Sequence, residues 1–326
     1  MNKRFTTNPK HFSRYFLLPA LTMLMAVCTV NAAVNSSAKP LASPLEGRWD
    51  ITVDAAGKPS PSWLEVRHSG NHTLIGQFVG FSGSARPISE VHFKDGKLSF
   101  AIPPQWEKGD KDLTVEGTLS GDKLTGTMNT VDGKTYSWTG VRAPSLRRTA
   151  PPVWGKAVPL IAGNEIKGWH AEGTNQWVLS NGILKSDKSG ANLVTDAKYN
   201  DFKLHVEFRI PKGSNSGVYL RGRYEMQVTD GKGLEPAVDQ LGAVYGFISP
   251  SEMMAKEAGE WQVFDLTLVG RMLTLAVNGK TVITNQEIPG ITGGALDSNE
   301  GEPGPLLIQG DHGPVEYRNI IITPAK

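Results

Sequence analysis

Residues 215–230 read NSGVYLRGRYEMQVTD, and the way this stretch alternates decides what kind of fold surrounds it. At the two-residue period of a β-strand, Val218, Leu220, Tyr224, Met226 and Val228 fall on one side. Tyr219, Arg221, Arg223, Glu225 and Gln227 fall on the other. Gly222 interrupts the run as a bulge or a short turn, and Asn215-Ser216-Gly217 reads as a tight turn leading into it. One face packs. The other gathers two guanidiniums, a carboxylate, an amide and a phenol. It is either the solvated side of a half-wet sheet or a ligand surface, and its composition suits a ligand better than the Lys, Thr and Ser of an ordinary wet face.

Outward from that strand the same texture continues. From residue 160 onward the segments GILKS, NLVT, FKLHVEFRI, GVYL, YEMQVTD, AVYGFI, WQVFDLTLVG, MLTLAVNG, TVITN, LLIQG and VEYRNIIIT all read as strands, with Asn181-Gly182 and Asn278-Gly279 as hairpin turns. Only SEMMAKEAG (251–259) reads as a short helix. Many strands with Gly-rich connections predict a two-sheet jelly-roll sandwich over 160–326. Upstream, 45–142 holds about eight short strands, with Asp95-Gly96, Gly121-Asp122 and Asp132-Gly133 between alternating segments. That pattern predicts a small up-and-down antiparallel barrel or meander. Trp49, Trp63, Trp106 and Trp138 read as its core or rim rather than as ligand stackers. The stretch 143–159 (APSLRRTAPPVWGKAVP) carries four prolines and reads as an extended linker between the two domains. The fold class is all-β throughout.

The first 33 residues are different material. Lys3, Arg4, Lys10 and Arg14 precede a 16-residue apolar core, Tyr15 to Val30, that ends in small residues. This is the pattern of a secretory signal peptide, and the core is shorter than the ~20 residues of a membrane span. Its cleavage would remove Cys28, the only cysteine, leaving no disulfide, thiolate nucleophile or Cys-bound metal. It would also carry away four positive charges, taking the net charge from +2 to about −2. Nothing then points to nucleic acid. The expectation is an exported protein, secreted or periplasmic, with no membrane span. No phosphate loop, dinucleotide fingerprint, HExxH or G-x-S-x-G is present, so no nucleotide cofactor is expected.

Several ordered motifs in 160–326 resemble one family. They are AGNEIKGWH with Gly168-Trp169, NLVTDAKYNDFKLHVEFRI, NSGVYLRGRYEMQVTD, Gly259-Glu260-Trp261 and LLIQGDHGPVEYRNIII. In this order they resemble the 3-keto-disaccharide hydrolase domain, which has the concanavalin-like fold. Two departures stand out: Gln262 replaces the family's usual Asn, and one extra residue lies between Gln309 and His312. Near the N-terminus, Gly47-Arg48-Trp49 resembles the opening strand of lipocalin-like barrels.

The resemblance implies a substrate already oxidised at C3, a 3-keto-glycoside or disaccharide. A C3 ketone acidifies the C2 hydrogen, so a base can remove it and the aglycone can leave C1 by elimination, with water adding back for net hydrolysis. Such a site needs a base, an enolate stabiliser and a donor to the leaving group. Glu225 is the candidate base, or else an inert partner of Arg223. Arg221 is the candidate cation for the enolate oxygen, or a structural pair of Glu225 or Asp230. His312 is the candidate proton shuttle. Gln227, Tyr219, Trp169, Tyr245, Gln309 and Asn215 are the candidate sugar contacts, with Trp177 a further stacker and core packing the competing role for both tryptophans. A divalent metal is left open, with Glu225, Asp230 and His312 as donors that could assemble; turn capping is the alternative for Asp230. A non-catalytic, lectin-like carbohydrate-binding protein is the competing function, since this fold serves both.

Overall fold

The structure, a computed structural model, describes residues 43–80 and 83–326; segment 1–33, expected from its sequence to be a signal peptide, and most of the stretch that follows it lie outside the described residues. Eight antiparallel strands come first: Gly47–Ala55 (β1), Lys58–Ser69 (β2), Thr73–Val79 (β3), Arg86–Lys94 (β4), Lys97–Ile102 (β5), Leu113–Ser120 (β6), Lys123–Asn129 (β7) and Thr135–Arg142 (β8). They close into a barrel, with Trp49 paired to Leu64 on one side and to Arg142 on the other. Closure leaves no free sheet edge. Alternation then sends Trp49, Ile51, Val53, Val66, Phe78, Phe100, Val115 and Trp138 into a filled interior. Gly117 and Gly126 face each other beneath the Trp138 indole. A Cβ on Gly126 would lie 2.6 Å from that ring, so the two glycines make room for it.

Trp63 departs from the expected barrel-core or rim role. It points out of the barrel and is buried in the apolar cluster of the following sandwich, edge-on to Phe247 at 5.3 Å. Gly290 lies against its indole. This tryptophan is a peg between barrel and sandwich.

The stretch after β8 runs without regular structure but is tied down. Leu146 is buried, and Arg148 grips Asp201 with two hydrogen bonds of 2.6 and 2.9 Å. Thirteen strands follow: Val158–Pro159 (β9), Trp169–Ala171 (β10), Val178–Ser180 (β11), Ile183–Ser186 (β12), Leu193–Thr195 (β13), Phe202–Arg209 (β14), Asn215–Leu220 (β15), Tyr224–Thr229 (β16), Gln262–Val269 (β17), Met272–Val277 (β18), Lys280–Glu287 (β19), Leu307–Ile308 (β20) and Val315–Pro324 (β21). One sheet runs β10-β13-β20-β15-β16. The other runs β11-β12-β21-β14-β17-β18-β19, with β9 paired to β21. The two sheets pack as a jelly-roll sandwich over one large apolar cluster.

The described residues contain no helix, so SEMMAKEAG is not helical as expected. Nine residues are too few to overcome helix nucleation unaided. The segment is held instead by Gln262, whose amide oxygen accepts from the Lys256 backbone N–H at 3.0 Å.

The larger correction concerns residues 221–223. Arg221 and Gly222 both have positive φ, 55° and 66°, and the Arg223 N–H reaches the Leu220 carbonyl at 3.1 Å. Strands β15 and β16 are thus two arms of a tight hairpin, not one strand. Tyr219 faces Glu225 and Gly217 faces Gln227 across it. The turn lifts Arg221 and Arg223 out of the face where simple alternation puts them.

Candidate functional site

On the outward face of the five-stranded sheet, alternation and register align Asn215, Gly217 and Tyr219 of β15 with Glu225, Gln227 and Thr229 of β16. Leu307 pairs with both Tyr219 and Val194. The Gln309 N–H bonds the Gly217 carbonyl at 2.9 Å, which brings its side chain to the same face. Val194, Tyr219 and Leu307 form a small apolar patch there. The polar part is covered rather than wet: Glu225 is 4% exposed, and Gln227 and Gln309 are buried with it.

Glu225 is the centre of this face. Its Oε2 lies 2.9 Å from the Tyr219 hydroxyl, which also lies 3.1 Å from the Gly293 carbonyl oxygen. Its backbone N–H donates to Thr292 Oγ1 at 3.0 Å, and its carbonyl accepts from the Tyr245 N–H at 3.0 Å. Gly217 is the floor: a Cβ there would lie 2.6 Å from Glu225 Oε1. Burial pushes the Glu225 carboxyl up to about 8, with the Asp311 carboxylate adding to the rise and the Tyr219 hydrogen bond opposing it. The Tyr219 phenol is itself pushed well above its ordinary value by burial and by Glu225.

One phenol proton cannot serve both neighbours at once. When Glu225 is protonated it can donate to Tyr219 while Tyr219 donates to Gly293. When Glu225 is ionised, Tyr219 must turn its proton back to the carboxylate. The pair is thus built to accommodate gain and loss of one proton.

Around Glu225 the face holds buried oxygens without partners: Asn215 Oδ1, Gln227 Oε1, Thr229 Oγ1 and Gln309 Oε1. An unmet buried polar atom costs roughly 1–3 kcal/mol. Four on one sheet face set it apart from the apolar side of the same hairpin.

Of the residues singled out in the sequence, Glu225, Tyr219, Gln227, Gln309 and Asn215 are brought together. Tyr245 joins them through its backbone bond to Glu225, and burial and Glu225 raise its phenol. His312 is half-exposed, with Nδ1 2.6 Å from Asp311 Oδ1. Asp311, whose charge is felt at Glu225, is the residue that sequence reasoning missed. Its only signal was its place beside His312.

Arg221 is not part of this face. It lies on the core side of the turn, where Nη2 donates to the Tyr224 hydroxyl at 2.8 Å and the Gly270 carbonyl at 3.1 Å. Arg223 does not pair with Glu225; it holds Asp297 Oδ1 at 2.7 Å and the Glu302 carbonyl at 2.8 Å. Trp169 and Trp177 are core residues, their indole N–H groups tied to the Leu160 and Ala191 carbonyls at 2.8 Å each, and neither can stack on a sugar at this face. Asp230 caps a turn, accepting from the Gly213 N–H at 3.1 Å. Among the described residues no three His, Cys, Asp or Glu side chains stand together as a metal-holding group, so Glu225, Asp230 and His312 do not assemble as one.

Comparison with known proteins sets this geometry in context. The family model of the 3-keto-alpha-glucoside-1,2-lyase-like domain matches residues 156–323, just over half of the chain. The chain belongs to this family. It is thereby a carbohydrate-active, glycosyl hydrolase-like protein. No curated protein matches it. Among solved structures it is similar to a candidate glycosyl hydrolase from Parabacteroides distasonis ATCC 8503, at 25% identity and TM-score 0.44, covering 54% of this chain and 92% of the other. A second such protein from that organism shares 23% identity at TM-score 0.42, covering 52% and 98%. The carbohydrate binding module CBM66 from Bacillus subtilis shares 12% at TM-score 0.32, covering 47% and 93%. The matched family region holds Glu225 and every other residue of the face described above. The barrel lies outside it.

Proposed function

We propose that the Glu225 face holds the oxidised ring of a 3-keto-glycoside and that Glu225 removes the hydrogen at C2. The proton passes to Glu225, and the C2–H electron pair becomes the enolate with its charge on the C3 oxygen. Collapse of the enolate forms the C1–C2 double bond and breaks the bond from C1 to the aglycone oxygen, which takes up a proton as it leaves. Water adding at C1 completes a net hydrolysis. The observation that carries this reading is a buried carboxyl poised near pH 8 amid unpartnered buried oxygens, since an acid–base group works best with its pKa near the working pH. Arg221 has no part here. In this reading the amides of Gln227 and Gln309 serve the ring oxygens, and the His312–Asp311 pair is the candidate donor to the leaving group.

Without Arg221 the face is rich in amides, and this favours a second reading, a lectin-like module that binds and does not cleave. Incubation with a 3-keto-glucoside in deuterated water, with and without chelator, separates the two. Cleavage with deuterium at C2 supports the enzyme; binding with neither cleavage nor exchange supports the module. The basic start and apolar core of residues 1–33 lead us to place the protein outside the cytoplasm, which fractionation of expressing cells would test.

A further inference from the structure

The barrel carries a built cavity of its own. It measures about 390 Å³ and opens at the barrel mouth beside Trp106, Arg86 and Glu107, with Leu113, Met128 and Asp132 completing the wall. Trp106 is 49% exposed, yet it is held from several sides. Its ring lies against Gly83, where a Cβ would meet it at 2.2 Å. The Arg86 guanidinium sits over the ring at 5.1 Å. Glu107 fixes the rest: Oε2 accepts the backbone N–H of Gln105 at 3.1 Å and of Trp106 at 3.3 Å, while Oε1 accepts from Arg86 at 2.7 Å. Arg86 is only 3% exposed, and its Nε–H has no partner.

An indole fixed in place but left half open, beside a buried cation with a free donor, is costly as mere packing. It has the parts of a sugar site: a flat apolar surface for the face of a ring, and a donor with carboxylates for its hydroxyls. The backbone beneath Trp106 also touches the chain that supports the sheet face. Gly83, under Trp106, touches Gly293 so closely that a Cβ on Gly293 would lie 2.0 Å from the Gly83 carbonyl oxygen. The Gly293 carbonyl in turn holds the Tyr219 hydroxyl that bonds Glu225.

We propose that the Trp106–Arg86 cavity of the barrel is a glycosyl-binding subsite that takes the uncharged, non-reacting sugar of a substrate whose other ring lies on the Glu225 face. The subsite rests on the sheet face taking a sugar. It also gives the barrel a role, because binding energy gathered there can position the reacting ring.

Calorimetric titration of the full chain with cellobiose, a two-ring probe, tests this. Wild type should bind, Trp106→Ala should bind about tenfold or more weakly, and Trp106→Phe should stay close to wild type. Because Trp106 is half exposed, the Ala variant should keep its circular dichroism spectrum and melting temperature. Wild type that does not bind, or Trp106→Ala that binds as wild type does, overturns the subsite. Gln227→Ala tells the two ideas apart. Weakening by both variants supports a substrate spanning the two sites, whereas loss with Trp106→Ala alone leaves a sugar site in the barrel but overturns its link to the Glu225 face. Binding lost only with Gln227→Ala overturns the subsite.

Discussion

Two buried carboxylates flank one hairpin and are held in opposite ways. Near the turn, Glu300 is 0% exposed. Arg271 meets it with two guanidinium nitrogens, and the Tyr224 hydroxyl donates to it at 2.7 Å. Asp50, from the barrel, shares a hydrogen bond with it. Burial opposes its ionisation, yet Arg271 holds it below the usual carboxylate range, while burial and Glu300 drive Asp50 upward and keep the proton there. Half a hairpin away, Glu225 is equally dry but has one phenol and no cation. Every atom of Glu300 has a use within the fold. Glu225 is left short of partners, and so are the amides around it. Burial alone therefore says little about role; what separates structure from site is whether the protein completes its own hydrogen bonds.

The largest effect that should follow is on chemistry. Glu225→Gln keeps shape and removes the proton acceptor, so turnover of a 3-keto-glucoside should fall by about 10²–10⁴-fold with little change in binding. In wild type, kcat/KM should rise with pH and level off above about 8, as Glu225 ionises in the free protein. A flat profile, or a Gln variant with full turnover, would hand the role to another group.

On the other side of the comparison, Arg271→Ala leaves Glu300 buried and unpaired. It should lower unfolding free energy by about 3–5 kcal/mol, measured by denaturant titration. A loss within error of zero would mean that the Asp50–Glu300–Arg271 network does not hold barrel to sandwich. Gly217→Ala is subtler. Its backbone is permissive, but the new methyl takes the place of the Glu225 carboxyl; activity should drop by about 10²-fold while the melting temperature moves little. A further contrast lies in the pH profile of stability, where the two carboxylates have opposite signs. Glu225, raised on folding, contributes stability below about 4.5 that is lost as pH rises toward about 8. Glu300, lowered on folding, contributes stability that is lost on acidification. Glu225→Gln should thus gain on wild type in melting temperature at about pH 9 and not at about pH 5.

Much of this was legible beforehand. The eight barrel strands follow from short alternating segments and Asp-Gly turns, and Asp95 and Gly96 do adopt positive φ, 51° and 75°. The family motifs located the sandwich, and alternation put Tyr219, Glu225 and Gln227 together. A short turn at Gly222 was one of two readings, but Arg221 was misplaced because alternation was carried through it: a left-handed Arg is uncommon for a side chain with a Cβ, and at φ 55° it starts the turn. Trp63 and Trp169 show a different limit. An indole in a strand can face a barrel interior, a domain contact or a ligand, and only the register of neighbouring strands chooses among them.

The most direct test of the contrast is the titration of Glu225 itself. Carbon-13 carboxyl spectra of glutamate-labelled protein, with Glu225→Gln used to assign the resonance, should show this carboxyl changing protonation at about pH 8. A midpoint at or below the ordinary glutamate value of about 4.3 would mean that Glu225 is stabilised as Glu300 is, and the account of the face as an unfinished, proton-accepting site would fail.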